Sequence, residues 1–414
     1  KVARTCSAKL FLKKRHFPAL NDSNPYLQML AEGGYIVEEV ARQRYPEGIE
    51  VDHSQSTENA IQLTGKLLDE AVGKDITLFE PTFIWNNLLV RVDIFRRLGP
   101  SIELIEVKSK SWETGGSEKN GSFQTDKGSI YSDWKSYVDD IAFQTLVLEQ
   151  LFPEYAIIPY LLMPDKAKTA SESLEFKNFK LTRHVEKRHG KSFVHCKVEY
   201  LGKPLGEKAS DFLTLVNASE AIDVVRESIL VDSQIFADSL TPLKQIASPL
   251  GSQCFKCEFR LRKEGDGFSH CWGSRALVQP HIADMYRAGQ IMDVDALVKN
   301  GLTDIRELTN DDLTTKKGGV GEWNIRRRIQ RDYTQSQEEW ISEEMADAVS
   351  NHQYPHHFID FEATRIAVPY HAGMRPYQQV AFQWSCHTIW EKGGQLEHNE
   401  WINTKDYFPN FEFA

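Results

Sequence analysis

The chain has 414 residues, of which 41% are hydrophobic and 26% charged, with a formal net charge of −10. This is the composition of an ordinary soluble globular protein with room for two or three domains, and its acidic balance argues against a sequence-independent nucleic-acid coat. No apolar run reaches the length of a membrane span, and the first residues lack a signal peptide's apolar core and cleavage site. Six cysteines in so long a chain are not a disulfide scaffold. They suit a reducing, cytoplasmic compartment, where a C-x-x-C pair favours metal or redox chemistry. A start without Met and an end at "FPNFEFA" suggest a longer natural protein.

In chain order, "NPYLQMLAEGGYIVEEVARQRYP" and "IQLTGKLLDEAVG" read as helices. The period then drops to two, so "ITLFEPTFIWNNLLVRVDIFRRLGPSIELIEVKSKS" reads as strands with turns at "WNN" and "LGPS". A polar loop, "WETGGSEKNGSFQTDKGS", precedes the helix "YSDWKSYVDDIAFQTLVLEQLF" and the strand "YAIIPYLLM". This order indicates an α/β domain. Residues of about 168–206 read as an insert with a hairpin in "SFVHCKVEYLGKPLG", followed by the helix "ASEAIDVVRESILVDSQIFADSL". A cysteine stretch, "CFKCEFRLRKEGDGFSHC", comes next. Residues 281–350 read as a charged helical linker or small helical domain, and a new unit opens at about 351 with "YPHHFIDFEATRIAVPY". Three basic patches stand out: "KKRH" at Lys13–His16, "RLRK" at Arg260–Lys263 and "RRR" at Arg326–Arg328. Taken singly, each reads as a solvated face.

The chemistry centres on Asp93 and "IELIEVKSKS". Glu106 and Lys108 lie two apart and so share one face of a strand, while Ile105 and Val107 take the other. The "LGPS" turn folds the two strands antiparallel and brings Asp93 beside Glu106. Two carboxylates and an ammonium at one place suit metal-assisted phosphodiester hydrolysis, with hard oxygen ligands for Mg²⁺ or Mn²⁺. D…E-x-K by itself is read as a surface salt bridge on two half-buried strands.

The arrangement as a whole resembles the PD-(D/E)XK nucleases, in their RecB-like branch. The resemblance implies a restriction-endonuclease-like core over residues 1–280, with a mixed central sheet flanked by helices. It implies Asp93, Glu106 and the Val107 main chain as divalent-metal ligands, and Lys108 and Gln144 as catalytic residues. Relatives often carry a Tyr one turn after that Gln, and here the position is Leu148. The earlier helix offers Glu38, preferred over Glu39, and Glu80 in "LFEPTF" is a further acidic candidate.

Three cysteines, Cys254, Cys257 and Cys271, are one short of a closed site. Cys196 and Cys386 read as small buried hydrophobes, whereas Cys6 precedes an amphipathic basic helix. The iron–sulfur subgroup of the RecB-like branch, which includes the CRISPR-associated and AddB-type nucleases, has one cysteine before the nuclease core and three after it. That resemblance implies a [4Fe–4S] cluster on Cys6, Cys254, Cys257 and Cys271, with Zn²⁺ as the alternative. The gap from Cys257 to Cys271 is wider than the family's. Lys13, Lys14, Arg15, Arg260, Arg262 and Lys263 become candidate nucleic-acid contacts.

Asp360 and Glu362, two apart on an apolar strand, resemble the first motif of DEDD-type exonucleases and imply the start of a ribonuclease-H-like α/β domain with its own metal site. The leading expectation is a metal-dependent nuclease acting on DNA that is single-stranded or has free ends. The alternative is a non-cleaving module that binds nucleic acid or protein around a structural zinc or iron–sulfur site. There is no P-loop, dinucleotide fingerprint or nucleophile elbow.

Overall fold

The computed structural model describes residues 1–405 except 23, 53–55, 117–118, 189–190, 206, 292 and 315–320. The chain begins with helices α1 (Val2–Thr5), α2 (Ala8–Lys14) and α3 (Pro25–Arg42). Asn24 caps α3 by accepting from the Tyr26 and Leu27 amides, and Pro25 takes the first turn, where no N–H is needed. There follow β1 (Ile49–Glu50), α4 (Thr57–Glu70), β2 (Ile76–Phe79), β3 (Thr82–Trp85), β4 (Leu88–Arg91), β5 (Ile94–Leu98) and β6 (Ser101–Val107). Then come α5 (Ser132–Leu151), β7 (Ala156–Pro164), β8 (Phe179–Arg188), β9 (Lys191–Tyr200), β10 (Leu213–Asn217) and α6 (Ser219–Asp238).

Six strands form one sheet in the order β1-β2-β5-β6-β7-β10. The pairs β1–β2 and β6–β7 are parallel, and the other three are antiparallel. The protein is therefore mixed α/β, with helices flanking a mixed central sheet. Alternation along β6 sets the layers. Ile102 and Leu104 join Trp134, Val138 and Ile141 of α5 and Ile222 of α6 in one apolar cluster. Ile105 and Val107 join Val37, Val40 and Ala41 of α3 in another. Each fully buried side chain of this size contributes about 1.5–3 kcal/mol, so β6 is held from both sides.

The insert holds a hairpin, though only its second strand lies in the stretch expected to form it. β8 and β9 form the hairpin, so "SFVHCKVEY" is its second strand and "LGKPLG" lies beyond it. Phe179 and Leu181 pair with Tyr200 and Val198 and pack into the second cluster.

After the cysteine stretch come α7 (Gly267–Trp272), α8 (Ala288–Ile291), α9 (Val294–Lys299), α10 (Glu322–Ser336) and α11 (Glu343–Ser350). A third cluster joins Phe268 and Trp272 to Ile282, Val294, Val298, Ile305 and Leu313, with Cys254 and Cys271 packed against it. The cysteine segment thus shares a core with part of the stretch read as a linker. The "RRR" patch is no uniform solvated face. Arg326 is exposed, but Arg327 is fully buried and donates to the Tyr286, Arg287 and Leu313 carbonyls. Its guanidinium ties the Tyr286–Arg287 backbone to that of Leu313.

Strands β11 (His356–Thr364), β12 (Val380–Ile389) and β13 (Leu396–Ile402) make a separate antiparallel sheet. The connection between β11 and β12 docks elsewhere. Ala367 and Val368 are buried in the second cluster, and the Ala170 and Met374 segments exchange backbone bonds (Ala170 N to Met374 O, 2.9 Å; Gly373 N to Ala170 O, 2.8 Å). Among the described residues no helix is long and apolar enough to cross a membrane.

Candidate active site and thiol cavity

The antiparallel register of β5 and β6 pairs Ile94 with Ile105. Carried one residue outward, it sets Asp93 opposite Glu106. The two strands are tied there: Asp93 Oδ2 accepts from the Val107 amide at 2.7 Å. Glu106 is 4% exposed. One of its oxygens takes the Lys108 ammonium, and the other accepts from Gln144 Nε2 at 2.7 Å. Gln144 comes from α5, which packs on the same face of the sheet. Its Oε1 is buried and has no partner in the protein, an unmet acceptor beside a carboxylate.

Charge at this place is crowded. Burial first, and then the neighbouring Glu106, push the Asp93 carboxyl well above its usual range. Burial likewise raises Glu106, against the pull of Lys108. Burial draws the Lys108 pKa down, but Glu106, Asp93 and Asp140 outweigh it and hold the ammonium above its ordinary value. Asp140 was not singled out from sequence. Its Oδ2 lies 3.3 Å from Lys108 Nζ. It stands one helical turn before Gln144, and that i, i+4 spacing was the available signal.

A second group adjoins the first. Glu38 and Glu80 both pair with Arg42, Glu80 at 3.1 Å. Glu80 has a left-handed backbone, φ 56°, an unfavourable conformation for a residue with a side chain. Burial, and then Glu38, push its carboxyl up to about 8. Glu38 and Glu80 also add to the negative field at Asp93. Glu39 points away, accepting from the Tyr200 amide of the insert hairpin at 3.2 Å. Arg42, the cation that joins Glu38 to Glu80, was also missed from sequence, although it lies four residues after Glu38 on α3.

The four cysteines of the 1+3 pattern line one small cavity, together with Leu12, Phe268 and Trp272. Cys196 and Cys386 are not in it; both are half-buried. Two features close the wide interval between Cys257 and Cys271. Asp266, 1% exposed, accepts from Leu261 N (2.7 Å) and from Ser269 N (2.6 Å), folding the basic insert back and capping α7. Gly267 lets α7 approach, since a Cβ there would lie 2.6 Å from Phe259 Cβ and 3.1 Å from Leu12 Cδ1. Burial raises the Cys254 and Cys257 thiols. Burial, then the charges of Cys6, Cys254 and Cys257, push Cys271 up to about 11.

The donor sets fit the metals named above in kind. Crowded oxygens at Asp93 and Glu106 suit a hard divalent cation, and four thiols around one cavity suit a soft metal or an iron–sulfur group, which stabilises the thiolates. Among the described residues, no three or more His, Cys, Asp or Glu side chains stand ready to hold a metal. Lys108 and Arg42 occupy carboxylate oxygens, and the Cys6 sulfur donates to Ser248 Oγ at 3.2 Å.

The remaining candidates scatter. Lys13, Lys14, Arg15 and Lys263 are exposed. Arg260 is 9% exposed, bound to Asp284 at 2.9 Å and set over the Phe268 ring, so it is a packing residue rather than a free nucleic-acid contact. Arg262 is exposed but pairs with the same Asp284 at 2.7 Å. Asp360 and Glu362 are both exposed, on β11, across from Ser385 and Gln383. His270 stacks on Phe11 and meets Gln245 Oε1 at 2.9 Å.

A family described as a domain of unknown function (DUF2779) matches residues 357–414. No curated protein and no solved structure matches the chain.

Proposed function

We propose that the chain is a metal-dependent nuclease of the RecB-like PD-(D/E)XK class, hydrolysing phosphodiester bonds in DNA that is single-stranded or has free ends. The observation that carries the reading is the meeting of Asp93, Glu106, Lys108 and Gln144 at the start of β5 and the end of β6, backed by an apolar core. Asp93, Glu106 and the Val107 main chain would hold Mg²⁺ or Mn²⁺, which when bound polarises the phosphate and makes water a better nucleophile. Lys108 offers an ammonium to the negative charge that grows on phosphate oxygens in the transition state. Gln144 fixes the orientation of Glu106, and Glu38 and Glu80 extend the acidic field.

In the same reading Cys6, Cys254, Cys257 and Cys271 hold a [4Fe–4S] cluster that ties the start of the chain to the end of the nuclease core. Closing so long a loop supports folding more than chemistry. The C-terminal sheet is the beginning of a ribonuclease-H-like unit, with Asp360 and Glu362 as its first acidic pair.

Two measurements test this. Purified protein is incubated with end-labelled single- and double-stranded DNA and Mn²⁺ or Mg²⁺. Cleavage that disappears in Asp93→Ala, with the fold retained, is the expected result; salt-sensitive binding without cleavage under any divalent cation points instead to a non-cleaving module. Iron, zinc and sulfide are measured after anaerobic purification, with a visible spectrum. Colourless protein with stoichiometric zinc overturns the iron–sulfur assignment.

A further inference from the structure

The wall of the thiol cavity also holds Lys9, Gln253 and the indole of Trp272. Trp272 follows Cys271 at the end of α7, is 4% exposed and lines the cavity beside the four cysteines. Its indole N–H is buried and has no hydrogen-bond partner in the protein. Buried indole N–H groups ordinarily find an acceptor, so this one is either a defect or matched to something the cavity receives.

The ring is held firmly. Phe268 stacks on it with centroids 5.0 Å apart, and His281 abuts it at 5.1 Å and 75°. The His281 Nδ1 accepts from the Ala283 amide at 2.9 Å, which leaves the ring proton on Nε2. Burial and the nearby Arg260 depress the His281 pKa to about 4, so it brings no charge to the cavity. The four cysteine sulfurs share the cavity wall with it. A neutral thiol is a weak acceptor, whereas a metal-bound thiolate or an inorganic sulfide is a much better one.

We propose that the Trp272 indole N–H is a preset hydrogen-bond donor to the sulfur of the four-cysteine centre and thereby tunes the electron density of the group held there. This rests on the iron–sulfur reading above and adds to it a named tuning residue. Hydrogen bonds to cluster sulfur set reduction potential. They withdraw electron density and favour the reduced, more negative state.

The test uses the full chain, reconstituted anaerobically with ferrous iron and sulfide. Iron and sulfide content, the sulfur-to-iron charge-transfer spectrum and the reduction potential are compared for wild type, Trp272→Phe and a packing control, Phe255→Leu. The expected result is unchanged iron and sulfide in Trp272→Phe, with a potential more negative than that of either other protein and a shifted charge-transfer band. Should Trp272→Phe fail to fold, replacement of Trp272 by its benzothiophene isostere removes the N–H and keeps the ring volume. Equal iron content with a wild-type potential in the N–H-free protein overturns this inference alone. A wild-type chain that binds neither iron nor zinc overturns the four-cysteine reading and this inference with it.

Discussion

Replacing Lys108 by Met removes the ammonium but keeps most of the stem that packs at the end of β6. In the metal-free protein Lys108 bridges Glu106 and Asp140, with Asp140 3.3 Å away. At that separation, with an effective dielectric of about 20, one pair is worth about 5 kcal/mol before desolvation is counted. Removing one partner of a buried pair costs about 3–5 kcal/mol when the other charge stays in place. Glu106 need not stay charged, because burial already raises its pKa, and it takes up a proton instead. The stability loss should therefore fall at or below about 3 kcal/mol. The kinetic loss should be larger: an electrostatic donor facing transition-state charge is worth about 10²–10³ in rate. Mn²⁺ affinity should be kept or improved, since the cation that competes for Glu106 has gone. Denaturant melts, Mn²⁺ titration calorimetry and cleavage of end-labelled single-stranded DNA read the three quantities separately. Wild-type cleavage by Lys108→Met at saturating Mn²⁺ refutes the catalytic role. Lost Mn²⁺ binding in a folded variant refutes the view that Lys108 competes with the metal.

The raised carboxyls set a pH dependence. Glu80 has its folded pKa, about 8, above its ordinary value, so its contribution to stability is complete below about pH 4.5 and is lost as pH rises to about 8. Metal-free protein should melt lower at pH 8 than at pH 6, by up to about 1.4 kcal/mol per pH unit; Glu80→Gln should flatten that slope, and an unchanged slope counts against the assignment. Mn²⁺ affinity should rise through the same window, because bound cation displaces protons; calorimetry in buffers of different ionisation enthalpy reads the protons released. Arg4 joins α1 to α5 and α6 by pairing with Asp139 at 3.1 Å and with Asp232. Since Asp139 is buried, Arg4→Met should cost about 3 kcal/mol in urea unfolding, and a change below about 0.5 kcal/mol would remove the strap from the account. The Tyr377 hydroxyl donates to the Ser109 carbonyl, one residue past Lys108. Tyr377→Phe should cost about 0.5–1.5 kcal/mol by removing a half-buried hydrogen bond, and should lower kcat more than it raises KM; an effect on KM alone would sink the positioning role.

Much of the frame was legible because it depends on neighbours in sequence. Alternation along "IELIEV" put Ile105 and Val107 on one face and Glu106 and Lys108 on the other, and the helices around Glu38 and Gln144 run close to where the periodicity placed them. The insert hairpin was legible only in its second strand, because the apolar partners Phe179 and Leu181 of the first lie outside the quoted stretch. The "RRR" patch misled for a related reason: Arg327 is buried because open loop carbonyls converge on it, and no local pattern records that.

By itself, then, the sequence determined the α/β alternation, the strand pair that carries Asp93 and Glu106, and the set of cysteines worth bringing together. Only the tertiary structure decided that Glu38 rather than Glu39 faces Glu80, that Asp140 and Arg42 belong to the charge cluster, and that Cys6 shares a cavity with Cys271. It also decided that a loop between β11 and β12 is buried against the α3 side of the central sheet. Local propensities act over a few residues and leave a periodic trace. These other placements are set by contacts between segments tens to hundreds of residues apart, where burial and charge compensation are defined only once the chain has folded.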